Sequence, residues 1–191
     1  PGTRGAEKRS YHKEEQNMKL EKTLKLTYTA MLTAMVCVAT MLIRIPTMVG
    51  YTNLGDGFIL LSAFLFGPFY GAVAGGIGSM LADIISGYAF YAPATLVIKG
   101  LIAVIAALLW KAMSKRGGDK VWKKILASLV AEIWMAAGYW TFETLFLGEA
   151  KAALASVPNN IAQGLVGVVL GMVLYYALSK LPMWKKVQLY A

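Results

Sequence analysis

Long stretches of this chain carry almost no charge, and short clusters of Lys and Arg separate them. A helix crossing a hydrocarbon core of about 30 Å needs roughly 20 predominantly apolar residues. Such runs occur at residues 24–43, 70–88, 94–113, 125–147 and 158–179. A sixth run, 54–66, is shorter, about 20 Å at 1.5 Å per residue. It ends at Gly67-Pro68, where Pro disfavours helix in the residue before it and suits the first turn of the next helix. We read it as a short span joined to 70–88 by a tight cytoplasmic turn; a re-entrant or interfacial segment is the alternative on length. With 58% hydrophobic and 15% charged residues, the composition excludes a soluble enzyme, a disulfide scaffold and a disordered chain.

The expected fold is all-α: an integral membrane bundle of six transmembrane helices with both termini cytoplasmic. Orientation follows from Lys and Arg, which accumulate on the cytoplasmic side. Sixteen of the 19 fall in the N-terminal stretch through Lys25, in 111–124 and in the tail from Lys180. Six spans put all three regions on one face, so the net charge of +9 reports topology and contact with anionic lipid, not nucleic acid. Residues 1–17 are polar and precede the first Met, Met18. They read as a processed, vector-derived or disordered leader, set apart from a single domain over 18–191.

Chemistry is sparse. The one His lies in the leader and the one Cys, Cys37, in the first span, so no metal site, His base or intrachain disulfide is expected. No Gly-rich phosphate loop is present. No cofactor and no enzymatic activity are expected, and the location expected is a bacterial plasma membrane, as a multi-pass protein.

Charges inside a span are costly and normally face the bundle interior or a water-filled cavity. Asp83, Lys99, Glu143, Asn159, Asn160 and Gln163 all fall at similar depth in the outer half of their spans. Tyr88, Phe90, Tyr91, Tyr139 and Trp140 accompany them. The combination reads as an outward-facing pocket with aromatic walls, suited to a small planar heterocycle. Other readings stay open: Asp83 and Lys99 pair with each other, the aromatic residues form an interfacial belt, Glu143 is solvated at the outer interface, or Asn159 and Asn160 start a helix. Glu132 sits deeper, where it either snorkels or bonds to a neighbouring helix. Small residues recur at helical spacing, the signature of close helix packing in lipid. Gly71, Gly75 and Gly78 form one ridge and Gly164, Gly167 and Gly171 another, both suited to packing within the bundle. Ala30 and Ala34 form a stripe that could face the bundle or another protein.

The Gly55-Asp56-Gly57 loop into the short run, the Phe66-Gly67-Pro68-x-x-Gly71 turn and the Asp83-x-x-x-Gly87 exit of the third run resemble a known family. They are similar to the substrate-binding S components of energy-coupling factor (ECF) vitamin transporters, over nearly the whole chain from Met18. The resemblance implies a subunit that captures a vitamin or precursor from outside and docks on a transmembrane T component bearing two cytoplasmic ATPases. It implies docking through Ala30 and Ala34, tipping of the subunit in the membrane, and gating by the loop 44–57, with Asn53 and Asp56 near the pocket mouth. The binding residues expected are Asn53, Asp83, Tyr88, Tyr91, Lys99, Trp140, Glu143, Asn160 and Gln163. Overall likeness favours pyridoxine or hydroxymethylpyrimidine, with thiamine or riboflavin behind. The competing readings are a small membrane enzyme or assembly factor using Asp83 and Glu143, and a structural subunit without a pocket.

Overall fold

The computed structural model describes residues 3–42, 45–46, 51–115, 117–146, 148 and 150–181. Within them lie five helices: α1 (Thr3–Leu42), α2 (Gly55–Ile85), α3 (Ala92–Ser114), α4 (Val121–Phe146) and α5 (Ala150–Ser179). Each contains a stretch long and apolar enough to cross a membrane. Between α1 and α2, Ile45–Pro46 (β1) pairs antiparallel with Tyr51–Thr52 (β2). Arg44, residues 47–50 of the expected gate and the basic tail beyond residue 181 lie outside the described residues.

Where the sequence suggests six spans, five helices are found, because the second and third expected spans are both contained in α2. That helix is broken internally. Gly67 stands at φ 79° and ψ −171°, a backbone region that only Gly adopts without strain, and Pro68 follows it. The two arms touch each other across the break. A Cβ on Gly71 would lie 3.0 Å from Ala63 Cα, and one on Gly75 would lie 2.8 Å from Ile59. Residues 59 and 75 of a straight helix would be about 24 Å apart.

The C-terminus of α2 closes with a Schellman motif. Gly87, at φ 85°, donates its N–H to Ile84 O, and Tyr88 N–H reaches back to Asp83 O at 2.8 Å. The Asp83-x-x-x-Gly87 spacing thus has a local cause: Gly supplies the left-handed residue, and the motif brings Tyr88 over Asp83.

The arms of α2 are the centre of the bundle. The α2 helix packs on α1, α3 and α5, while α4 bridges α3 and α5. Its residues Ile59, Leu60, Ala63 and Phe64 form the core with Val36, Ile102, Ala103, Met135 and Met172. Both Gly ridges pack inside the molecule. A Cβ on Gly78 would meet Thr33 O at 2.6 Å, and those on Gly164 and Gly167 would meet Glu132 at 2.7 Å and Asp56 at 2.8 Å. Ala30 and Ala34, in contrast, are exposed. The helix α1 also runs through the polar N-terminal stretch.

Candidate substrate-binding site

One end of the bundle gathers the C-termini of α1, α2 and α4 and the N-termini of α2, α3 and α5. A narrow cavity of about 50 Å³ opens between them. Thr40, Asn53, Ser79, Asp83, Tyr88, Tyr91, Thr95, Lys99, Tyr139, Glu143, Ser156, Asn160 and Gln163 line it. Eight of the nine binding residues expected from the sequence are among them. Trp140 is not; it is 41% exposed, because it follows Tyr139 around α4 and so points away when Tyr139 faces in.

The floor of the cavity is a buried polar network. Lys99, on α3, donates to Asp56 Oδ1 at 2.5 Å and reaches Met135 Sδ at 3.0 Å. Gln163, on α5, donates through Nε2 to Asp56 Oδ2 at 2.6 Å and accepts the Asn53 backbone N–H at 2.9 Å. Asn53 Oδ1 in turn accepts the Gly55 N–H, satisfying one of the unpaired donors that open any helix. Both oxygens of Asp56 are thereby occupied, and the four groups fix the start of α2 against α3 and α5.

Lys99 therefore pairs with Asp56, not with Asp83, since α2 returns its first turn to the level of Lys99. Nor is Asp56 at the mouth: it has no exposure at all.

The walls are aromatic and acidic. Tyr139 shares a 3.0 Å hydrogen bond with Thr95, and its ring lies 5.6 Å from the Lys99 ammonium. Tyr91 meets Tyr88 edge-on at 6.5 Å and packs against Phe142 at 5.4 Å. Burial, and then the nearby Glu143 and Asp83 carboxyls, push the Tyr91 phenol up to about 12, so it remains a hydrogen-bond donor at neutral pH. Glu143 is 4% exposed and accepts from Ser156 Oγ at 2.5 Å. It is held within the protein and not solvated at the interface.

Sequence reasoning missed Thr40, Ser79, Thr95 and Ser156 as lining groups, and counted Tyr139 among the aromatic walls but not among the binding residues. Hydroxyls in spans are common and usually bond their own helix, so nothing local marks these. Glu132, on α4, neither snorkels nor finds a hydrogen-bond partner among the described residues.

The opposite end of the bundle is basic. Lys111 and Lys115 close α3, and Lys123 and Lys124 open α4. Lys124 pairs with Asp119 and lies 4.5 Å from the Trp110 ring and 4.8 Å from that of Tyr175. The α2 break is at this end too, since a Cβ on Gly67 would stand 3.1 Å from Lys111 Nζ.

Comparison with known proteins identifies the family. Residues 20–180 match the family described as ECF-type riboflavin transporter, S component. The chain is 32% identical over 153 residues to the thiamine precursor transporter HmpT of Lactococcus lactis subsp. cremoris, covering 78% of this chain and 84% of that one. It is 41% identical over 147 residues to an uncharacterized protein of Pyrococcus woesei, covering 76% of this chain and 95% of the relative. The chain belongs to the family of ECF-type riboflavin transporter S components, a family of membrane transport subunits and not of enzymes.

Proposed function

We propose that this chain captures a B-vitamin or vitamin precursor from outside the cell and passes it inward with the help of a transmembrane T component and two ATPase subunits. One observation carries the reading: polar and aromatic side chains from all five helices converge on a single cavity at the end of the bundle opposite its basic residues. By the positive-inside rule the basic end is cytoplasmic, so the cavity opens outward in the cell membrane. The two arms of α2 serve as separate passes, giving six with both termini inside. Support comes from the contacts across Gly67 and from the cavity itself, which is lined both by Asn53 just ahead of α2 and by Ser79 and Asp83 near its C-terminus.

The ligand favoured is a small hydroxylated or aminated ring of the pyridoxine or hydroxymethylpyrimidine type. Tyr88, Tyr91 and Tyr139 offer aromatic faces, Asp83 and Glu143 accept hydrogen bonds, and Lys99, Asn160 and Gln163 supply donors. The thiamine precursor relative is consistent with this class. Ala30 and Ala34, exposed on α1, are the surface for the T component.

Mass spectrometry of small molecules that co-purify with the protein tests the assignment. A single B-vitamin or precursor in stoichiometric amount is the expected result; lipid and detergent alone, with no shift in melting temperature on adding such compounds, would favour a subunit without a ligand.

A further inference from the structure

Of the buried acids among the described residues, Asp56 belongs to the network beneath the cavity and Asp83 and Glu143 line the cavity, whereas Glu132 does neither. It lies midway along α4, 5% exposed, and neither carboxyl oxygen has a hydrogen-bond partner among the described residues. One turn further toward the basic end, the hydroxyl of buried Ser128 is equally unpartnered. Glu132 is pressed against α5, where a Cβ on Gly164 would come 2.7 Å from its own Cβ and 3.2 Å from Oε2. A Cβ on Gly167 would stand 3.6 Å from its Oε1 and 2.8 Å from Asp56 Cβ, so the two acids flank one glycine.

The charge balance here is uneven. The charged groups acting on Glu132 are Asp56 of α2 and Lys99 of α3. Facing it from α5 are Gly164 and Gly167, which carry no charge. On its own helix the nearest ionisable groups are Tyr139, two turns toward the outer end, Lys124 and Lys123, two turns toward the inner end, and Glu143, three turns toward the outer. Lys99 is already committed to Asp56 at 2.5 Å. An ionised Glu132 would then be a second carboxylate beside a single ammonium, without a hydrogen bond, in a water-poor interior. Such a group is strongly disfavoured and takes up a proton instead.

We propose that Glu132 is a proton-binding site whose neutral carboxylic acid keeps Lys99 on Asp56 at the cavity floor, and that loss of the proton draws Lys99 inward and weakens ligand binding. The step is a plain ionisation, carboxylic acid to carboxylate, with the proton released to water. Its second half rests on the reading of the cavity as a vitamin site; the first does not.

The experiment pairs infrared spectroscopy with binding, on the full chain in lipid. At neutral pH the wild type shows a carboxylic-acid C=O band that Glu132→Gln removes and Glu132→Asp shifts, so either variant makes the assignment if the other fails to fold. Hydroxymethylpyrimidine, pyridoxine, thiamine and riboflavin are then titrated across neutral to alkaline pH. Wild-type affinity for the ring that binds is expected to fall about tenfold, equivalent to about 1.4 kcal/mol, while Glu132→Gln stays flat. A band unchanged in both variants overturns the proton site. A band that disappears while the two pH profiles coincide overturns its link to binding. If no compound binds the wild type yet the band is present, the proton site stands and the vitamin reading fails.

Discussion

The Lys99 ammonium and the Asp56 carboxylate, 43 residues apart, meet at 2.5 Å with almost no exposure of either side chain. This contact joins the first turn of α2 to α3 directly beneath the cavity. It also places a positive charge where a ligand carbonyl, ring nitrogen or hydroxyl could accept from it.

A buried pair of this kind is far costlier to break than to replace. Lys99→Met leaves Asp56 as an uncompensated buried carboxylate and should destabilise the protein by about 3–5 kcal/mol. The double variant Lys99→Met with Asp56→Leu should recover most of that. Thermal unfolding of both single variants and the double in detergent checks this. Additive losses would mean that the pair is not coupled.

The break in α2 makes a conformational prediction. Gly67→Ala forces a Cβ into a left-handed backbone and should cost about 1 kcal/mol or more. Gly71→Ile should cost more, about 1–3 kcal/mol from overpacking, because its side chain meets Ala63 backbone at 3.0 Å. Melting temperatures of the two variants give the order. A tolerated Gly71→Ile would show that the two arms do not pack together.

The Ala30 and Ala34 surface separates folding from assembly. Both residues are exposed, so Ala30→Trp and Ala34→Trp should leave the melting temperature and ligand affinity unchanged. Co-purification with the T component and ATP-dependent uptake should be lost. Intact assembly in both variants would remove α1 from the docking surface.

Asp119 carries a pH signature outside the spans. Burial alone would raise its carboxyl, but hydrogen bonds from Lys124 and Trp110 outweigh it and hold the group below the usual carboxylate range. A lowered native value means that the contribution to stability is complete above the unfolded-state value and is lost as pH falls through the native one. Asp119→Asn should therefore lower the melting temperature at neutral pH and flatten its decline in acid. Identical acid profiles for the two proteins would contradict the pairing.

Much of this was legible in the sequence, and the misses share a cause. Hydropathy located the helices, since a bilayer demands long apolar runs. The common depth of Asp83, Lys99, Glu143 and Gln163 was readable because helix rise converts position into height. Which groups pair at that height was not. Asp83 was the one partner read for Lys99; the turn at Gly67-Pro68 was expected, but not that it brings Asp56 onto Lys99. Rotation about the helix axis was equally hidden: Tyr139 and Trp140 are neighbours in sequence, yet one lines the cavity and the other does not. Glu132 was visible as an intramembrane acid, but its lack of partners depends on the glycines that α5 presents to it.

The central claim is that the cavity holds one small vitamin-like ring. Isothermal titration of the purified protein with hydroxymethylpyrimidine, pyridoxine, thiamine and riboflavin tests it most directly, alongside Glu143→Gln, which removes the charge of an acceptor on the cavity wall. The result expected is one compound bound at a single site per chain, with affinity reduced roughly ten- to a hundredfold in the variant. No heat of binding from any of the four, or binding indifferent to Glu143→Gln, would contradict the account.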